Sequence, residues 1–443
     1  MDITINKNHN GNLSVSAKAK NPYLGPTIII GILFFLFGFV TWLNATLINF
    51  LKIACEINNN VVLYLITLAF YISYFVMAIP SSRILKITGL KNGMSLGLIV
   101  ISIGALIFIP AALSRSYPIF LIGLFVQGTG LSLLQTASNP YITILGPLES
   151  AAKRMSIMGI FNKVAGVLSP IVLSAIVLKG ANQIESQLIN IISKSEKEQL
   201  LNELSSRVIM PYISIAVVLI IMAIWIRFSN LPNVEESRES EEEINSINIK
   251  KTSIFQFPHL IAGVIALFFY VGVEVLTGDM IGQYGRMLGF NLSRYQYFTS
   301  YTLVSMVVGY IAGVIFIPKY ISQRNALILC AIFGFLFSCC ALFTQGITSV
   351  IFIAMLGLAN ALVWPAIWPL ALNRLGPFTK LGSALLIMSI AGGAVMPIIF
   401  GKIADSFPAY PQIAYSILIP SYLIILFFAV KGYKLGLTPV KTL

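Results

Sequence analysis

The chain has 443 residues, of which 57% are hydrophobic and only 10% are charged, and its mean hydropathy is +0.87. This composition excludes a water-soluble globular protein and predicts an all-α integral membrane protein with many crossings. The net charge of +13 is scattered over short loops between apolar runs, so it argues against a nucleic-acid partner.

A bilayer-spanning helix needs roughly 20 mostly apolar residues. Twelve such runs follow one another, centred near Gly38, Ala69, Ile103, Leu131, Ala165, Leu219, Tyr270, Val308, Phe335, Leu358, Met388 and Ile424. Of the 29 basic residues, 19 fall in segments on the side that carries both chain ends, and 9 fall on the other side. This bias predicts a multi-pass membrane protein with both termini in the cytoplasm, where the basic residues meet anionic lipid headgroups.

The first 22 residues are polar and contain no apolar core of the kind found in signal peptides. We therefore expect a cytoplasmic N-terminal tail, residues 1–22, without regular structure. The four cysteines show neither metal-ligand spacing nor a disulfide framework. No metal and no organic cofactor are expected.

An acidic segment divides the twelve runs into six and six. It carries Glu235, Glu236, Glu239 and Glu241–Glu243 and follows the sixth run. We predict an N-terminal six-helix bundle over 23–229, a cytoplasmic linker over 230–256, a C-terminal six-helix bundle over 257–432 and a cytoplasmic tail over 433–443. A charged linker of this kind is typical of a solvated tether.

The two halves share short motifs at nearly one spacing. The string FFLFG at 34–38 is echoed by FFYVG at 268–272, 234 positions later, and LGP at 145–147 is echoed at 375–377, 230 positions later. Six helices per half give both halves the same orientation. The repeat therefore predicts an axis along the membrane normal, as in transporters of the major facilitator fold.

Polar side chains at mid-membrane depth indicate the type of ligand. Amides hydrogen-bond sugar hydroxyls, and flat aromatic rings cover the apolar faces of a pyranose. The predicted substrate-binding residues are Trp42, Asn44, Gln127, Gln135, Asn139, Asn162, Lys163, Asn360 and Trp364. The structural alternative is that the amides bridge helices and the tryptophans mark the interfacial belt.

Three ionisable residues lie within apolar runs, where charge is costly unless it is paired or used. For Lys163 three alternatives are open: snorkelling toward water, pairing with an acid across the bundle, or holding a substrate hydroxyl. Glu274 and Asp279 lie in the seventh run. Each must be protonated, paired or bound to a cation, so both are predicted cation-coupling residues, with Glu274 first and either sodium or a proton as the ion.

Several motifs carry a resemblance to a known family. The string at 35–38 leading to Leu43-Asn44, the string QTASNP at 135–140 and LGP at 145–147 resemble the fucose:proton symporter family of the major facilitator superfamily. The strings YVGVE at 270–274 and ALVWPA at 361–366 are most similar to its bacterial glucose/galactose porter branch. The resemblance covers roughly positions 25 to 430, and it implies uptake of a hexose by alternating access, driven by a cation gradient.

Two positions depart from that family. In the fucose symporters an acid follows the first-helix asparagine and another precedes the TA-x-NP string, whereas this chain has Ala45 and Gln135. The offset of 234 maps Asp279 onto position 45, so an acid stands at the matching site of the other half. We expect Asp279→Asn to abolish accumulation and to retain exchange.

Three rival functions are weighed against hexose uptake. An exporter of amphipathic compounds needs a pocket of aromatics and methionine, whereas this chain offers amides. A membrane enzyme needs a catalytic set at depth, and the sequence has no such set of histidine and acids. A transport-inactive sugar receptor would bind without flux. A monomer suffices for this architecture.

Overall fold

The structure is a computed structural model, and it describes residues 3–7, 13–17, 24–144, 151–180, 183, 187, 193–229, 231 and 252–437. The first LGP string and most of the predicted acidic linker lie outside the described residues. The predicted domain boundaries remain predictions.

The described residues of the N-terminal half form seven helices. They are α1 (Leu24–Ala54), α2 (Asn60–Leu63), α3 (Leu65–Leu113), α4 (Tyr117–Ile144), α5 (Ala151–Val177), α6 (Lys194–Ser206) and α7 (Ile209–Phe228). Helix α3 has 49 residues and bends at Gly89, where φ is +74°, a value that L side chains rarely adopt. At about 1.5 Å per residue it is more than twice as long as a hydrocarbon core of about 30 Å. It therefore supplies two crossings.

Residues 252–437, the described part of the C-terminal half, form ten helices, because several of its crossings are interrupted. They are α8 (Pro258–Gly278), α9 (Ile281–Met287), α10 (Leu292–Tyr295), α11 (Phe298–Phe316), α12 (Gln323–Phe343), α13 (Gly346–Asn360), α14 (Val363–Leu372), α15 (Thr379–Met388), α16 (Gly392–Ser406) and α17 (Leu418–Val430). Short 3-10 turns lie at Ile254–Gln256, Gly376–Phe378, Ser389–Ala391, Pro411–Ile417 and Gly432–Lys434.

Eleven segments of the described chain are long and apolar enough to cross a membrane. With the two crossings of α3, the number is twelve, six before and six after the interruption at 232–251. This confirms the predicted all-helical, twelve-crossing fold.

The N-terminal leader differs from the prediction. It was expected to lack regular structure, but β1 (Ile3–Lys7) and β2 (Leu13–Ala17) pair antiparallel, with Ile3 opposite Ala17. The expectation was wrong for these ten residues. The strings ITINK and LSVSA alternate apolar and polar residues and include β-branched ones, a pattern that favours strands over a free coil.

Equivalent helix pairs pack alike in the two halves. A Cβ added to Gly38 on α1 would overlap Asn162 on α5, and one added to Gly272 on α8 would lie 3.2 Å from the carbonyl oxygen of Gly392 on α16. The spacings of 234 and 230 residues are those of the sequence repeat. The first and fifth crossings of one half therefore approach as closely as those of the other.

A second similarity between the halves lies at one end of the bundle, the end at which α1 begins and α17 ends. Lys91 Nζ donates to the carbonyl oxygen of Ser229 at 2.5 Å, and Arg324 Nε donates to that of Ala429 at 3.2 Å. In each half a basic residue near the start of the third crossing thus interacts with the carboxyl end of the sixth, where a cation is favourable.

The halves also contact each other near the opposite end of the bundle, here called the distal end. Three of the hydrogen bonds between the described residues of the two halves lie there. They are Tyr71 Oη to Asp279 Oδ2 at 3.2 Å, Gln283 Nε2 to Asn49 Oδ1 at 2.5 Å, and Asn60 Nδ2 to Asp405 Oδ1 at 2.5 Å. In this conformation the distal end of the interface is closed by polar contacts.

Candidate functional site

An ion pair connects the two halves inside the bundle. Lys163 on α5 donates from Nζ to Glu274 Oε1 on α8 at 2.7 Å. The two side chains are only 8% and 14% exposed. Of the three alternatives for Lys163, the structure shows pairing with an acid of the other half. The pair brings no net charge into the site, as suits an uncharged ligand.

Trp42 on α1 packs against this pair. Lys163 Nζ lies 4.4 Å from the centre of its ring, a cation–π distance. A Cβ added to Gly166 would lie 2.5 Å from the indole, and one added to Gly278 would overlap its other edge. Both glycines thus make room for the ring, which is 2% exposed. In this conformation Trp42 is a packed inter-half contact with no ring face left open to a sugar.

The predicted amides Asn162 and Asn44 differ in their hydrogen bonding. Asn162 Oδ1 accepts from Trp42 Nε1 at 3.4 Å, and its Nδ2 donates to the carbonyl oxygen of Phe34 at 3.4 Å. Asn44 is 1% exposed, and neither its amide oxygen nor its amide nitrogen has a hydrogen-bond partner. A buried amide without hydrogen-bond partners is costly unless a ligand supplies them. Asn44 is therefore the better candidate of the two for a substrate-binding residue.

Gln135 on α4 is hydrogen-bonded within its own half. Its Nε2 donates to Tyr74 Oη on α3 at 2.9 Å. The ring of Tyr74 stacks on that of Tyr71, with centroids 6.4 Å apart and planes inclined by 26°. Tyr71 in turn reaches Asp279, so two tyrosines on one helix lie between a predicted sugar-binding amide and a predicted coupling acid.

Asp279 lies at an interruption of the seventh crossing, between α8 and α9. It is 1% exposed, Oδ2 accepts from Tyr71, and Oδ1 has no hydrogen-bond partner. The carbonyl oxygens just before it accept hydrogen bonds from side-chain hydroxyls of neighbouring segments, namely Leu276 from Tyr415, Thr277 from Thr302 and Gly278 from Thr299. These hydroxyls satisfy carbonyls that the interruption frees, which is what a discontinuous helix requires inside a membrane.

The predicted residues of the tenth crossing are placed differently. Asn360 Nδ2 donates to Thr277 Oγ1 at 3.2 Å, and its Oδ1 accepts from Tyr422 Oη at 2.8 Å. Its amide therefore already bridges three crossings. Trp364 stacks on Trp368 with centroids 5.4 Å apart. Trp364 is partly exposed, whereas Trp368 is buried and its Nε1 lacks a partner.

The remaining two predicted amides lie on α4. A Cβ added to Gly104 of α3 would lie 2.6 Å from Gln127 Cγ, so Gln127 packs within the N-terminal half. Asn139 is 2% exposed. The structure does not place Gln127 against Lys163 or Glu274, but it does bring Trp42, Asn162, Lys163 and Glu274 together.

Sequence reasoning missed several polar contacts of this region. Tyr71 and Tyr74 lie three residues apart in an apolar run, and such tyrosines are counted as hydrophobic. Asn49 and Gln283 hydrogen-bond to each other and are separated by 234 residues, which is the repeat offset itself. Two amide side chains separated by the repeat offset were the sequence signal that could have identified this contact.

Comparisons with known proteins agree with this architecture. The family model of the Major Facilitator Superfamily matches residues 30–396. A glucose/galactose transporter of Brucella abortus is 30% identical over 428 residues, 96% of this chain and 98% of the relative. The L-fucose-proton symporter of Haemophilus influenzae is 28% identical, over 94% of this chain and 98% of the relative. The crystal structure of the Escherichia coli fucose:proton symporter matches with a TM-score of 0.69 and 25% identity, covering 92% of this chain and 98% of that one.

Proposed function

Because this chain belongs to the Major Facilitator Superfamily, we propose that it takes up a hexose, glucose or galactose before fucose, together with a cation. The relatives named for these sugars match nearly the whole chain, which supports a transporter rather than an isolated sugar-binding module. The carrier sits in a bacterial inner membrane with both termini in the cytoplasm, and it acts as a monomer among lipids.

The observation that carries the proposal is the uncharged, polar interior between the halves. The Lys163–Glu274 pair cancels its own charge, and among the described residues the amide of Asn44 and Trp368 Nε1 are buried without a hydrogen-bond partner. A hexose offers hydroxyl groups that both donate and accept, and it brings no charge that would have to be balanced in a low dielectric.

Alternating access follows from the arrangement of the contacts. The three distal hydrogen bonds close one end of the interface, and each joins a residue of one half to a residue of the other. Rocking of the two bundles about the central site breaks these contacts and exposes the site to the opposite side. Relatives named for sugars give no support to an exporter of amphipathic compounds.

The test is uptake of radiolabelled glucose, galactose and fucose into proteoliposomes. Each sugar is offered under an inward proton gradient, under an inward sodium gradient and under neither, with protein-free vesicles as the control. We expect uphill accumulation of one hexose under the proton gradient. Equilibration without accumulation would reduce the function to facilitated diffusion, and binding without flux would indicate a receptor. A lack of both binding and flux would refute sugar transport.

A further inference from the structure

We infer that the coupling proton is carried by Asp279, and that Tyr71 is the positioning residue that covers it when the distal end closes. This inference rests on the proposed hexose–cation symport and names the acid and the ion that perform the coupling. It assigns different tasks to the two acids of the seventh crossing.

The first step is the contrast between the two acids. Glu274 has a cationic partner, Lys163, at 2.7 Å, so its charge is balanced where it lies. Asp279 is more deeply buried, at 1% exposed, and the one hydrogen bond that its carboxyl group accepts from the described residues comes from a neutral phenol. A buried carboxylate with one neutral donor is strongly disfavoured as an anion, and binding a proton removes the charge.

The second step is the location of Asp279 at the moving interface. Tyr71 belongs to the N-terminal half and Asp279 to the C-terminal half. Tyr71 lies six residues into α3, about 9 Å from its distal end at 1.5 Å per residue. Its ring fits against Gly393 of α16, where an added Cβ would lie 3.0 Å from Tyr71 Cγ. Opening the distal end must withdraw this ring and expose Asp279 to water on that side.

The two steps together give a coupling rule. With the distal end open, water solvates Asp279 and the proton can enter. With the distal end closed, Tyr71 lies over the carboxyl and no water replaces it, so closure favours the protonated acid. The charged groups that act on Asp279 are Glu274 on its own helix and Lys163 on α5, and they form a pair with each other. The phenols around it are Tyr71 on α3 and, against the same turn of α8, Tyr415.

The third step connects the proton to the sugar. Gln135 donates to Tyr74, and Tyr74 stacks on Tyr71. A sugar that engages Gln135 acts on the ring next to the one that covers Asp279. Sugar binding thus favours the tyrosine arrangement in which a protonated Asp279 is enclosed.

The experiment compares Asp279→Asn and Tyr71→Phe with the unmodified protein in proteoliposomes. Three quantities are measured: counterflow exchange of labelled hexose, uphill accumulation under an inward proton gradient, and the pH dependence of hexose affinity. Glu203→Gln is the matched control, because Glu203 also accepts one hydrogen bond, from Arg207 Nη2 at 3.2 Å, but its side chain is 65% exposed and its partner lies in the same half.

We expect Asp279→Asn to retain counterflow, to lose accumulation entirely and to bind hexose with an affinity that no longer changes with pH. Tyr71→Phe removes the hydroxyl that, within the described residues, is the donor to Asp279 Oδ2, and it keeps the ring. Its pH profile should move to higher pH, because a carboxylate that has lost a donor binds its proton more tightly. Glu203→Gln should accumulate hexose like the unmodified protein. A purely structural role for Tyr71 would leave the pH profile in place.

Several outcomes overturn the inference without touching the proposed function. Uphill accumulation by Asp279→Asn would do so, and so would retained counterflow with lost accumulation in Glu274→Gln instead. Accumulation driven by sodium and not by protons would refute the proton assignment. An unmodified protein without any hexose flux would instead refute the proposed function.

Discussion

The ion pair between Lys163 and Glu274 allows the sharpest prediction about the energetics of the bundle. We consider Lys163→Met, Glu274→Gln and the double variant. In each single variant one charge stays in a site where the side chains are 8% and 14% exposed. Removing one partner of a buried pair typically costs about 3–5 kcal/mol, because the remaining charge is unbalanced.

The double variant leaves no charge behind. We expect it to lie within about 1–2 kcal/mol of the unmodified protein, since neutral replacement of a buried pair is often nearly free of cost. The two single effects are therefore far from additive. The difference is the interaction energy of the pair. The loss of the cation–π contact with Trp42 adds about 1 kcal/mol to the Lys163 variants.

The assay is a double-mutant cycle on apparent unfolding free energies of the detergent-solubilised protein. The matched control is the pair of Arg115 and Glu198, which is 2.6 Å apart but has one side chain 51% exposed. Its cycle should give at most about 1 kcal/mol. Additive single effects at Lys163 and Glu274, or a cycle no larger than that of the control pair, would show that the charges are not balanced by each other.

Two further predictions follow from the close contacts. Gly392→Val should lower the unfolding temperature, and it should lower the apparent free energy of unfolding by about 1–3 kcal/mol, because its Cβ would overlap the carbonyl of Phe268. Gly25→Val is the control: the space around its Cβ is open, so neither quantity should change. Asn49→Leu should open the distal end more often, because it removes the hydrogen bond from Gln283. A single cysteine placed at the distal end of this variant, in a cysteine-free background, should then react faster with a membrane-impermeant thiol reagent. Equal stability of the two glycine variants would contradict the first prediction. An unchanged labelling rate would contradict the second.

The crossings and their division could be predicted because they depend on local composition. Runs of apolar residues identify the helices, and the offset of 234 residues correctly relates α1 to α8, as the packing of Gly38 and Gly272 shows. The leader was the exception. Each of its strands alternates apolar and polar residues over only five positions, a pattern that is short beside the long apolar runs that identify the helices.

The contacts of the site could be predicted only in part, because they depend on helix rotation. Lys163 and Glu274 are 111 residues apart, and only the folded bundle turns them toward each other. Asn360 was predicted to bind substrate from its residue type, yet its amide is bonded to Thr277 and Tyr422. Whether a buried amide serves packing or a ligand depends on its neighbours, which no sequence spacing specifies.

The central claim is that hexose and proton enter together, and proton flux tests it most directly. Proteoliposomes that enclose a pH-sensitive dye are placed in hexose without an imposed proton or sodium gradient. Hexose entry should acidify the lumen, whereas Asp279→Asn in vesicles preloaded with hexose should exchange hexose without this acidification. Hexose entry with no change of internal pH in the unmodified protein would contradict it.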